Sequence, residues 1–421
     1  LHLSYDDRAE GALEAAREAL LAAGDTQHAA EAEVFLAYVA WTRGQGELTR
    51  SLLARAQELV GAAVSASATR VLAASSRMRV IASEYEQGRG DAEVALRMAE
   101  QLGLDELRAH ALTTVGMAKN YLADGSGTED MERALELSLQ IDSPIASTIL
   151  NNLAVQALIV GDLQRTGELY AEALMLAERF GDRAIIRFIR ANRVWVDFMQ
   201  GRWEQAFAAA DVFIAECDGG SPHTNEWAVR LVRGSMRVAR GDLDGALDDH
   251  LRAVRLARQK EDPLQLAGAL ALLAGLHTER AELAEAKQLV GEIVALVRTH
   301  GVHGAIAALA LGARQLDVVE KLRAAVEESP GPQDVPWRTV LLLILDDDLR
   351  GAADVYASMP NPNLEANTRL HAGQRLLELG RREEGEAEVR KALAFHRSVA
   401  AIYYVRRAEQ LLGLEAYSDS A

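Results

Sequence analysis

The chain of 421 residues is poor in cysteine, proline and aromatic residues, and it contains no long hydrophobic run. Its single cysteine excludes an intrachain disulfide and a zinc site built from several cysteines, and suits a reducing cytosol. With 8 prolines, 5% aromatic residues and 49% hydrophobic residues, the composition favours Ala- and Leu-rich helices over a β-sandwich. The longest apolar run, Leu266 to Leu276, is shorter than the roughly 20 residues of a membrane-spanning helix. We expect a cytoplasmic protein.

Motifs of catalysis are also scarce. No lysine follows a glycine, so the chain has no phosphate-binding loop of the Gly-Lys-Ser/Thr type. His300 and His303 have no third metal ligand nearby, and the aspartate run at 346–348 lacks the spacing of a metal-binding motif. The formal net charge of −17 opposes general nucleic-acid binding, because neutralising phosphates requires a basic face. We expect neither an enzyme nor a cofactor or metal in this chain.

Four segments repeat one pattern at a constant step. They begin at Gly161, Gly201, Gly241 and Ala281, and matching residues recur at offsets 2, 5, 13 and 16, which share one stripe of an α-helix. The matching sets are Leu163, Trp203, Leu243 and Leu283; Thr166, Ala206, Ala246 and Ala286; Leu174, Ile214, Val254 and Val294; and Ala177, Cys217, Ala257 and Val297. We expect these side chains to be buried, so that Cys217 fills the core and is not a nucleophile.

Another helix is predicted before each repeated segment, so that each unit is a helix pair. These helices are expected at 143–159, 183–199, 222–239 and 263–279. Three of them start at a proline that follows a capping Ser or Asp, namely Pro144, Pro222 and Pro263. The Gly or Ala that begins each segment marks the tight turn within the pair. Similar units cover 27–60, 108–140 and 365–396.

The pattern predicts an all-α fold, a right-handed α-solenoid of antiparallel helix pairs with repeats of about 40 residues. Five of the eight prolines lie between residues 330 and 362, where the regular array loosens. We therefore predict a repeat array at 1–328, a Pro-rich linker or bend at 329–336, and C-terminal helical repeats with a capping helix at 337–421. Because the chain begins at Leu1 with what reads as the second helix of a pair, we expect a piece of a longer protein.

The segment 149–182, ILNNLAVQALIVGDLQRTGELYAEALMLAERFGD, resembles the tetratricopeptide repeat (TPR) at Ala154, Gly161, Tyr170 and Ala173. The step of about 40 residues exceeds the usual 34 of that family. Such long units are similar to those of bacterial signalling ATPases and LuxR-type regulators, and the ending FHRSVAAIYYVRRAEQLLGLEA resembles actinobacterial proteins with a class III nucleotidyl cyclase. The resemblance implies a TPR-like array, an upstream effector domain in the parent chain and a concave groove for partners.

Two asparagines occupy the same repeat position, on the first helix of two consecutive helix pairs. Asn152 and Asn192 both lie nine residues before their turn. The resemblance implies that an asparagine here grips the backbone of an extended peptide in the groove, because its amide donates and accepts at once. The alternative is a hydrogen bond between helices inside the stack, since a buried amide must be satisfied in either case.

A stripe of arginines runs along the same helices. Arg190 and Arg193 lie on one first helix, and Arg230 and Arg233 lie 40 residues later on the next. Because adjacent repeats place equivalent positions side by side, these guanidinium groups are expected to be neighbours. Together they could bind an acidic peptide, a carboxylate or a phosphate. The alternative is that nearby carboxylates pair with them internally.

Together these features predict a non-catalytic sensor arm of a larger bacterial signal-transduction protein. It would bind a peptide, a partner domain or an anionic ligand on its concave face, and it would bind neither nucleic acid in general nor a membrane. The alternative is a small-molecule receptor for a nucleotide or oligosaccharide, as in a transcriptional regulator. Aromatic side chains in the groove, for which Trp195, Trp203 and Trp227 are candidates, would favour that alternative because sugars and bases stack on them.

Overall fold

The computed structural model describes residues 9–414 and contains 22 α-helices and no β-strand in that range. The even-numbered helices are α2 (Thr26–Thr42), α4 (Ala66–Ile81), α6 (Asp105–Tyr121), α8 (Ile145–Ile159), α10 (Arg183–Met199), α12 (Glu226–Arg240), α14 (Pro263–Glu279), α16 (Ile306–Leu316), α18 (Pro336–Leu345), α20 (Pro362–Glu378) and α22 (Ile402–Leu411). The odd-numbered helices are α1 (Ala9–Ala22), α3 (Gly46–Val60), α5 (Tyr85–Leu102), α7 (Gly127–Gln140), α9 (Leu163–Phe180), α11 (Trp203–Asp218), α13 (Leu243–Lys260), α15 (Leu283–His300), α17 (Val319–Glu328), α19 (Leu349–Ser358) and α21 (Arg382–Ser398). None of these helices has the length and apolar character needed to cross a membrane.

Helices that are adjacent in sequence pack as hairpins, and the hairpins stack side by side. For example, α2 packs against α3, and it also packs against α4 of the following pair. The same relationship links α4 with α6, α10 with α12 and α14 with α16. The prediction of an all-α solenoid of antiparallel helix pairs is therefore confirmed.

The turns inside four of the pairs lie where the repeat predicts them. Their backbone is left-handed, with φ of 81° at Gly161, 79° at Gly201, 86° at Gly241 and 60° at Ala281. Glycine adopts this conformation without the steric cost that a Cβ atom brings. The second helices then begin two residues later, at Leu163, Trp203, Leu243 and Leu283.

The predicted core columns are mostly buried. The column of small residues is fully buried, with Thr166, Ala206, Ala246 and Ala286 all at 0% exposure. Cys217 is also buried, at 7%, and burial raises the pKa of its thiol to about 12. Its burial confirms the core role expected for Cys217. A thiol with so high a pKa is also a poor nucleophile near neutral pH.

One predicted helix start is wrong. The helix expected from Pro222 begins only at Glu226, as α12. Residues 222–225 form a turn instead, and the backbone N–H of Thr224 donates to the carbonyl of Thr42 at 2.6 Å. The backbone N–H of Asn225, which would make the first hydrogen bond of a helix starting at Pro222, donates instead to His223 Nδ1 at 3.1 Å. The start of α14 at Pro263, capped by Asp262, is as predicted.

The stack curls so tightly that distant helices touch. Helices ten positions apart are in contact, namely α3 with α13, α10 with α20 and α12 with α22. The ring of Trp41 stacks on that of Phe188 with centroids 5.6 Å apart, and the Nε1 of Trp337 donates to the carbonyl of Leu158 at 3.1 Å. Successive turns of the superhelix therefore lie against each other and enclose its interior.

Residues 329–335 join α17 to α18 without helical structure, and Pro336, the last residue of the predicted linker or bend at 329–336, begins α18. Val326 before this segment and Val340 after it belong to one hydrophobic cluster, which also contains Val297 of α15 and Tyr356 of α19. The apolar core thus continues past this segment. The division into an array at 1–328 and a C-terminal part at 337–421 stays a prediction.

Candidate ligand-binding site

The interior of the superhelix is a channel with a volume of about 1240 Å³. Its wall comes mainly from the even-numbered helices, from the C-terminal parts of α8 and α10 through α14, α16 and α18 to α20 and α22. Small-molecule sites usually have volumes of about 300–1,000 Å³. The channel therefore has room for a ligand larger than an ordinary metabolite.

Part of the channel wall is aromatic. Trp195 of α10 meets His303 edge to face, with ring centroids 6.5 Å apart and planes at 73°. Phe198 packs against Trp203 at 5.5 Å, and Trp337 lies 6.3 Å from the ring of Tyr356. Rings of this kind offer apolar faces on which flat or aliphatic groups can pack.

The opposite character appears on α20. Asn363, Asn367, His371 and Gln374 all line the channel, and their spacing of four, four and three residues places them on one face of that helix. The Nδ1 of His371 lies 2.9 Å from the carbonyl of Asn367, which holds the ring in place. We call these four residues the polar stripe. Their amides can donate and accept hydrogen bonds at once.

Some buried polar atoms of the channel wall have no hydrogen-bond partner within residues 9–414. The hydroxyl of Tyr356 is one of them, in a side chain that is 1% exposed, and the Oδ1 of Asn367 is another. Buried polar groups are nearly always hydrogen-bonded in folded proteins, and an unsatisfied one costs roughly 1–3 kcal/mol. Both atoms are buried beneath the channel surface, so a ligand can bond to them only if these side chains turn towards the channel.

The charged residues at one end of the channel neutralise each other. Arg407 lies 3.2 Å from the carboxylate of Glu279. Asp347 accepts from Arg375 at 2.9 Å and lies 3.2 Å from Arg314. The arginines in this region are thus engaged with carboxylates of the protein.

A further arginine in the wall, Arg338, is 5% exposed. It donates to Ser329 Oγ at 2.6 Å and to the carbonyl of Glu327 at 3.1 Å. Glu327 is in the last turn of α17, so Arg338 caps the carboxyl end of that helix, where the helix dipole places partial negative charge.

The channel histidines are held in their neutral form at neutral pH. Burial lowers the pKa of His303 to about 4 and that of His250 to about 4. Burial and the nearby guanidinium of Arg407 lower the pKa of His371. Because desolvation disfavours the charged imidazolium, these rings act as uncharged donors or acceptors.

A pair of tyrosines forms another part of the wall. The rings of Tyr85 and Tyr121 are stacked with centroids 4.8 Å apart and planes at 9°. Burial raises the pKa of both hydroxyl groups, so both remain protonated over the physiological range. The two hydroxyl groups therefore add no charge to the channel wall.

The predicted asparagines lie in the stack of helices, outside the set of residues that line the channel. The amide of Asn192 donates to the Oδ1 of Asn151 at 3.1 Å, and Asn225 donates to the Oδ1 of Asn192 at 2.9 Å. Asn151 in turn lies 3.4 Å from the Oδ1 of Asn152. The amides form a chain across α8, α10 and the turn before α12. Their role in ligand binding stays a prediction.

The predicted arginines fall into two groups. Arg230 and Arg233 are buried or nearly so and contact Asp249, at 3.5 Å and 2.6 Å. Arg190 and Arg193 are exposed, and no carboxylate within residues 9–414 pairs with either. The structure brings the first two together around one carboxylate and leaves the second two on the surface. Whether any of the four binds a ligand stays a prediction.

The three tryptophans named from the sequence lie in two different environments. Trp195 and Trp203 line the channel. Trp227 lies elsewhere, is 5% exposed, and packs with its ring 5.7 Å from the ammonium of Lys260. The polar stripe was not predicted from the sequence. Three amides and a histidine at helical spacing within 363–374 were the pattern that could have indicated it.

Within residues 9–414 no three His, Cys, Asp or Glu side chains come together as a possible metal site.

No protein-family model and no curated protein matches the chain. Solved structures do match. A Rap protein complexed with competence and sporulation factor has a TM-score of 0.52 and 10% identity, over 89% of this chain and 99% of that one. The apo form of the quorum sensor NprR from B. thuringiensis has a TM-score of 0.46 and 11% identity, over 87% and 98%. Yeast Tom70 has a TM-score of 0.37 and 13% identity, over 97% and 96%. The likeness to the Rap protein shows that the chain has the fold of a TPR-like helical repeat array.

Proposed function

We propose that the protein is a non-catalytic regulator that binds a peptide, or an extended segment of a partner protein, inside the channel. The observation that carries this proposal is the amphipathic wall, which combines aromatic rings such as Trp195 and Trp337 with the polar stripe of α20. A peptide has the same two kinds of surface, because its backbone is polar and many of its side chains are apolar.

The shape of the channel supports the same proposal. Its volume of about 1240 Å³ exceeds the usual range for small molecules, and several repeats contribute to its wall. Concave surfaces of stacked helix pairs are the usual binding surfaces of such arrays. The Rap protein that shares this fold was crystallised in complex with competence and sporulation factor, which is a further reason to look for a ligand of this kind.

A second candidate is a receptor for a nucleotide or an oligosaccharide. Trp195 and Trp203 favour it, since both line the channel and flat rings are common partners for bases and sugars. The peptide remains the leading candidate because the wall carries no unpaired cluster of arginines for a phosphate, and because the polar stripe extends along most of α20.

We further propose that the array is the sensor arm of a larger bacterial, cytoplasmic signalling protein with an effector domain such as an ATPase or a nucleotidyl cyclase. The resemblance of the repeats and of the C-terminal segment supports this context. A ligand that prefers one curvature of the array would shift the population of that state and so bias the effector. The exposed Arg190 and Arg193 would then be contacts for an acidic face of a partner domain.

The test is a binding experiment on the whole chain. A random pool of heptapeptides, a set of nucleotides and a set of oligosaccharides are each passed over the immobilised protein, and retained molecules are identified by mass spectrometry. Retention of peptides that Trp195→Ala weakens by about tenfold or more, as loss of one stacking partner predicts, supports the proposal. Arg190→Ala is the matched control and should retain them equally. Retention of nucleotides or sugars alone would establish the second candidate instead.

A further inference from the structure

This inference rests on the proposed function and specifies the ligand. We infer that the channel selects a peptide whose side chains are uncharged, with its backbone hydrogen-bonded to the polar stripe of α20 and its side chains packed on the aromatic wall. The aromatic wall consists of Trp195, Phe198, Trp203, Trp337 and Tyr356, and the selectivity follows from how the charges of the channel are arranged.

The lining carries as many positive as negative side chains. The arginines are Arg314, Arg338, Arg375 and Arg407, and the carboxylates are Glu86, Glu279, Asp347 and Glu378. Each of the carboxylates has an arginine partner in the protein. Glu86 accepts from Arg89 at 2.8 Å, and Glu378 lies 3.5 Å from Arg375. No carboxylate of the lining is left to attract a cationic ligand.

The arginines are engaged in the same way. Arg314, Arg375 and Arg407 have carboxylate partners, and Arg338 donates to oxygen atoms at the carboxyl end of α17. At Arg338, which is buried, and at Arg407, which is partly buried, an anionic group would have to compete with these contacts away from bulk water. Moving a charge from water to such a position is costly unless a free partner awaits it. Both signs of charge are therefore disfavoured.

The uncharged polar groups of the lining include side-chain amides. Asn363 and Asn367 line the channel with amide side chains, and the Oδ1 of Asn367 and the hydroxyl of Tyr356 are buried with no partner within residues 9–414. Peptide N–H and C=O groups match these atoms, because an amide of the protein pairs with both. From Asn363 to Gln374 the stripe covers about 16 Å at 1.5 Å per helical residue, which is the length of about five residues of extended chain.

The first experiment compares three pools of N-acetylated, C-amidated heptapeptides on the immobilised protein. One pool contains only uncharged residues, the second adds Asp and Glu, and the third adds Lys and Arg. We expect the uncharged pool to be retained at least about tenfold better than either charged pool. Equal or better retention of a charged pool would overturn this inference while leaving the proposed function standing. Retention of no pool would overturn the proposed function as well.

The second experiment changes the charge of the channel. Asp347→Asn removes the carboxylate partner of Arg314 and one partner of Arg375, and asparagine tolerates the left-handed backbone at this position, where φ is 69°. We expect the variant to gain retention of the acidic pool by about tenfold. Glu279→Gln, which frees Arg407, is the second variant and should change the selectivity in the same direction.

The matched control is Asp346→Asn, a change of the same chemistry one residue earlier. Asp346 is exposed, pairs with Arg323 and lies outside the set of residues that line the channel. It should leave the selectivity unchanged. If Asp347→Asn and Glu279→Gln are folded by circular dichroism and neither gains retention of the acidic pool, the charge arrangement does not control selectivity and the inference fails.

A third variant tests the polar stripe. Asn367→Ala removes the amide whose Oδ1 has no partner within residues 9–414. Loss of one or two hydrogen bonds to the ligand should weaken retention of the uncharged pool by about tenfold. Gln164→Ala, on the exposed face of α9, is the control and should have no effect. Unchanged retention by Asn367→Ala would show that the ligand does not contact α20.

Discussion

Arg407 of the last helix, α22, donates to the carboxylate of Glu279 at the end of α14, although the two residues are 128 positions apart. The hydroxyl of Tyr403 donates to the same carboxylate at 3.0 Å, and Arg407 also donates to Gln374 at 2.7 Å. This group of contacts ties α22 to α14 and α20. It closes the superhelix on the side of the channel where the polar stripe ends.

The first prediction concerns this closure. Glu279→Ala removes the carboxylate that accepts hydrogen bonds from both Arg407 and Tyr403. The side chains of Glu279 and Arg407 are only 21% and 26% exposed. We expect the local opening of α22 to become easier by about 1–2 kcal/mol, because partly buried, charge-assisted hydrogen bonds are lost. Hydrogen–deuterium exchange of residues 402–411 measures this directly.

The control for that measurement is Glu386→Ala on α21. Glu386 pairs with Arg382 and Arg390, whose side chains are 80% and 63% exposed. Exposed pairs contribute little to stability, so exchange in α22 should not change. Equal exchange in wild-type protein and Glu279→Ala would show that α22 docks without these contacts.

The second prediction concerns Asp249, which is 0% exposed and contacts three arginines. It lies 3.5 Å from Arg230, 2.6 Å from Arg233 and 2.8 Å from Arg237. Removing one partner from a buried ionic cluster leaves uncompensated charge and costs about 3–5 kcal/mol. We expect Asp249→Asn to lower the free energy of unfolding by this amount, as measured by urea denaturation.

Arg190→Ala provides the comparison within the same predicted stripe. Arg190 is exposed and has no carboxylate partner within residues 9–414, so its removal should change stability by less than about 0.5 kcal/mol. An Asp249→Asn variant with the free energy of unfolding of the wild type would mean that this carboxylate is not needed to neutralise the arginines around it. A strongly destabilised Arg190→Ala variant would mean that the stripe is structural along its whole length.

The third prediction concerns the closest approach of two helices. A Cβ atom added at Gly116 of α6 would lie 2.4 Å from the carbonyl oxygen of Gly127 at the start of α7. Such a contact forces the helices apart, and overpacking of this kind costs typically about 1–3 kcal/mol. We expect Gly116→Ala to lower the thermal midpoint of the protein.

Gly167→Ala is the matched control for the glycine change. No atom lies within 4 Å of a Cβ added at Gly167, which is an interior position of α9. Alanine is favoured over glycine in a helix by about 1 kcal/mol, so this variant should be more stable than the wild type. Opposite signs for the two substitutions are the expected result, and a gain of stability in Gly116→Ala would contradict the packing described for α6 and α7.

The fourth prediction is a loss of stability in mild acid. Burial and the nearby charge of Arg187 lower the pKa of His223 to about 3, whereas an unfolded histidine has its ordinary value near 6.5. The unfolded chain therefore binds a proton below pH 6.5 that the folded chain does not. Stability is fully present above pH 6.5 and falls as the pH drops from there towards 3, by about 1.4 kcal/mol between pH 7.5 and 5.5 for this residue.

A variant isolates the contribution of that histidine. His223→Asn keeps an acceptor for the backbone N–H of Asn225, which donates to His223 Nδ1 at 3.1 Å. The variant should lose about 1.4 kcal/mol less stability than the wild type between pH 7.5 and 5.5. Identical pH profiles of the two proteins in urea denaturation would show that His223 is not held neutral by the fold.

Much of the fold follows from local patterns in the sequence. The turns at Gly161, Gly201 and Gly241 and the buried columns that follow them arise from helix periodicity and from the left-handed backbone that glycine permits. Such features depend on residues within one helix pair, so the sequence alone predicts them. The start at Pro222 was wrong because the backbone N–H of Asn225 donates to the side chain of His223 and not to a helical carbonyl.

The site depends on relations that no local pattern contains. Which face of a first helix points into the channel is set by the accumulated rotation of many stacked pairs, and contacts such as Trp337 with Leu158 join residues 179 positions apart. Asn192 and Asn367 are both amides on first helices, yet one bonds within the stack and the other lines the channel. Helix periodicity alone cannot distinguish them.

The claim that a peptide lies inside the channel has a direct test. Heptapeptides from the retained uncharged pool are resynthesised with a benzophenone side chain, irradiated on the protein, and the crosslinked residues are identified by mass spectrometry. We expect crosslinks on the channel faces of α10, α18 and α20, close to Trp195, Trp337 and Asn367. Crosslinks confined to outer helices such as α9 and α13, with none on those three, would contradict it.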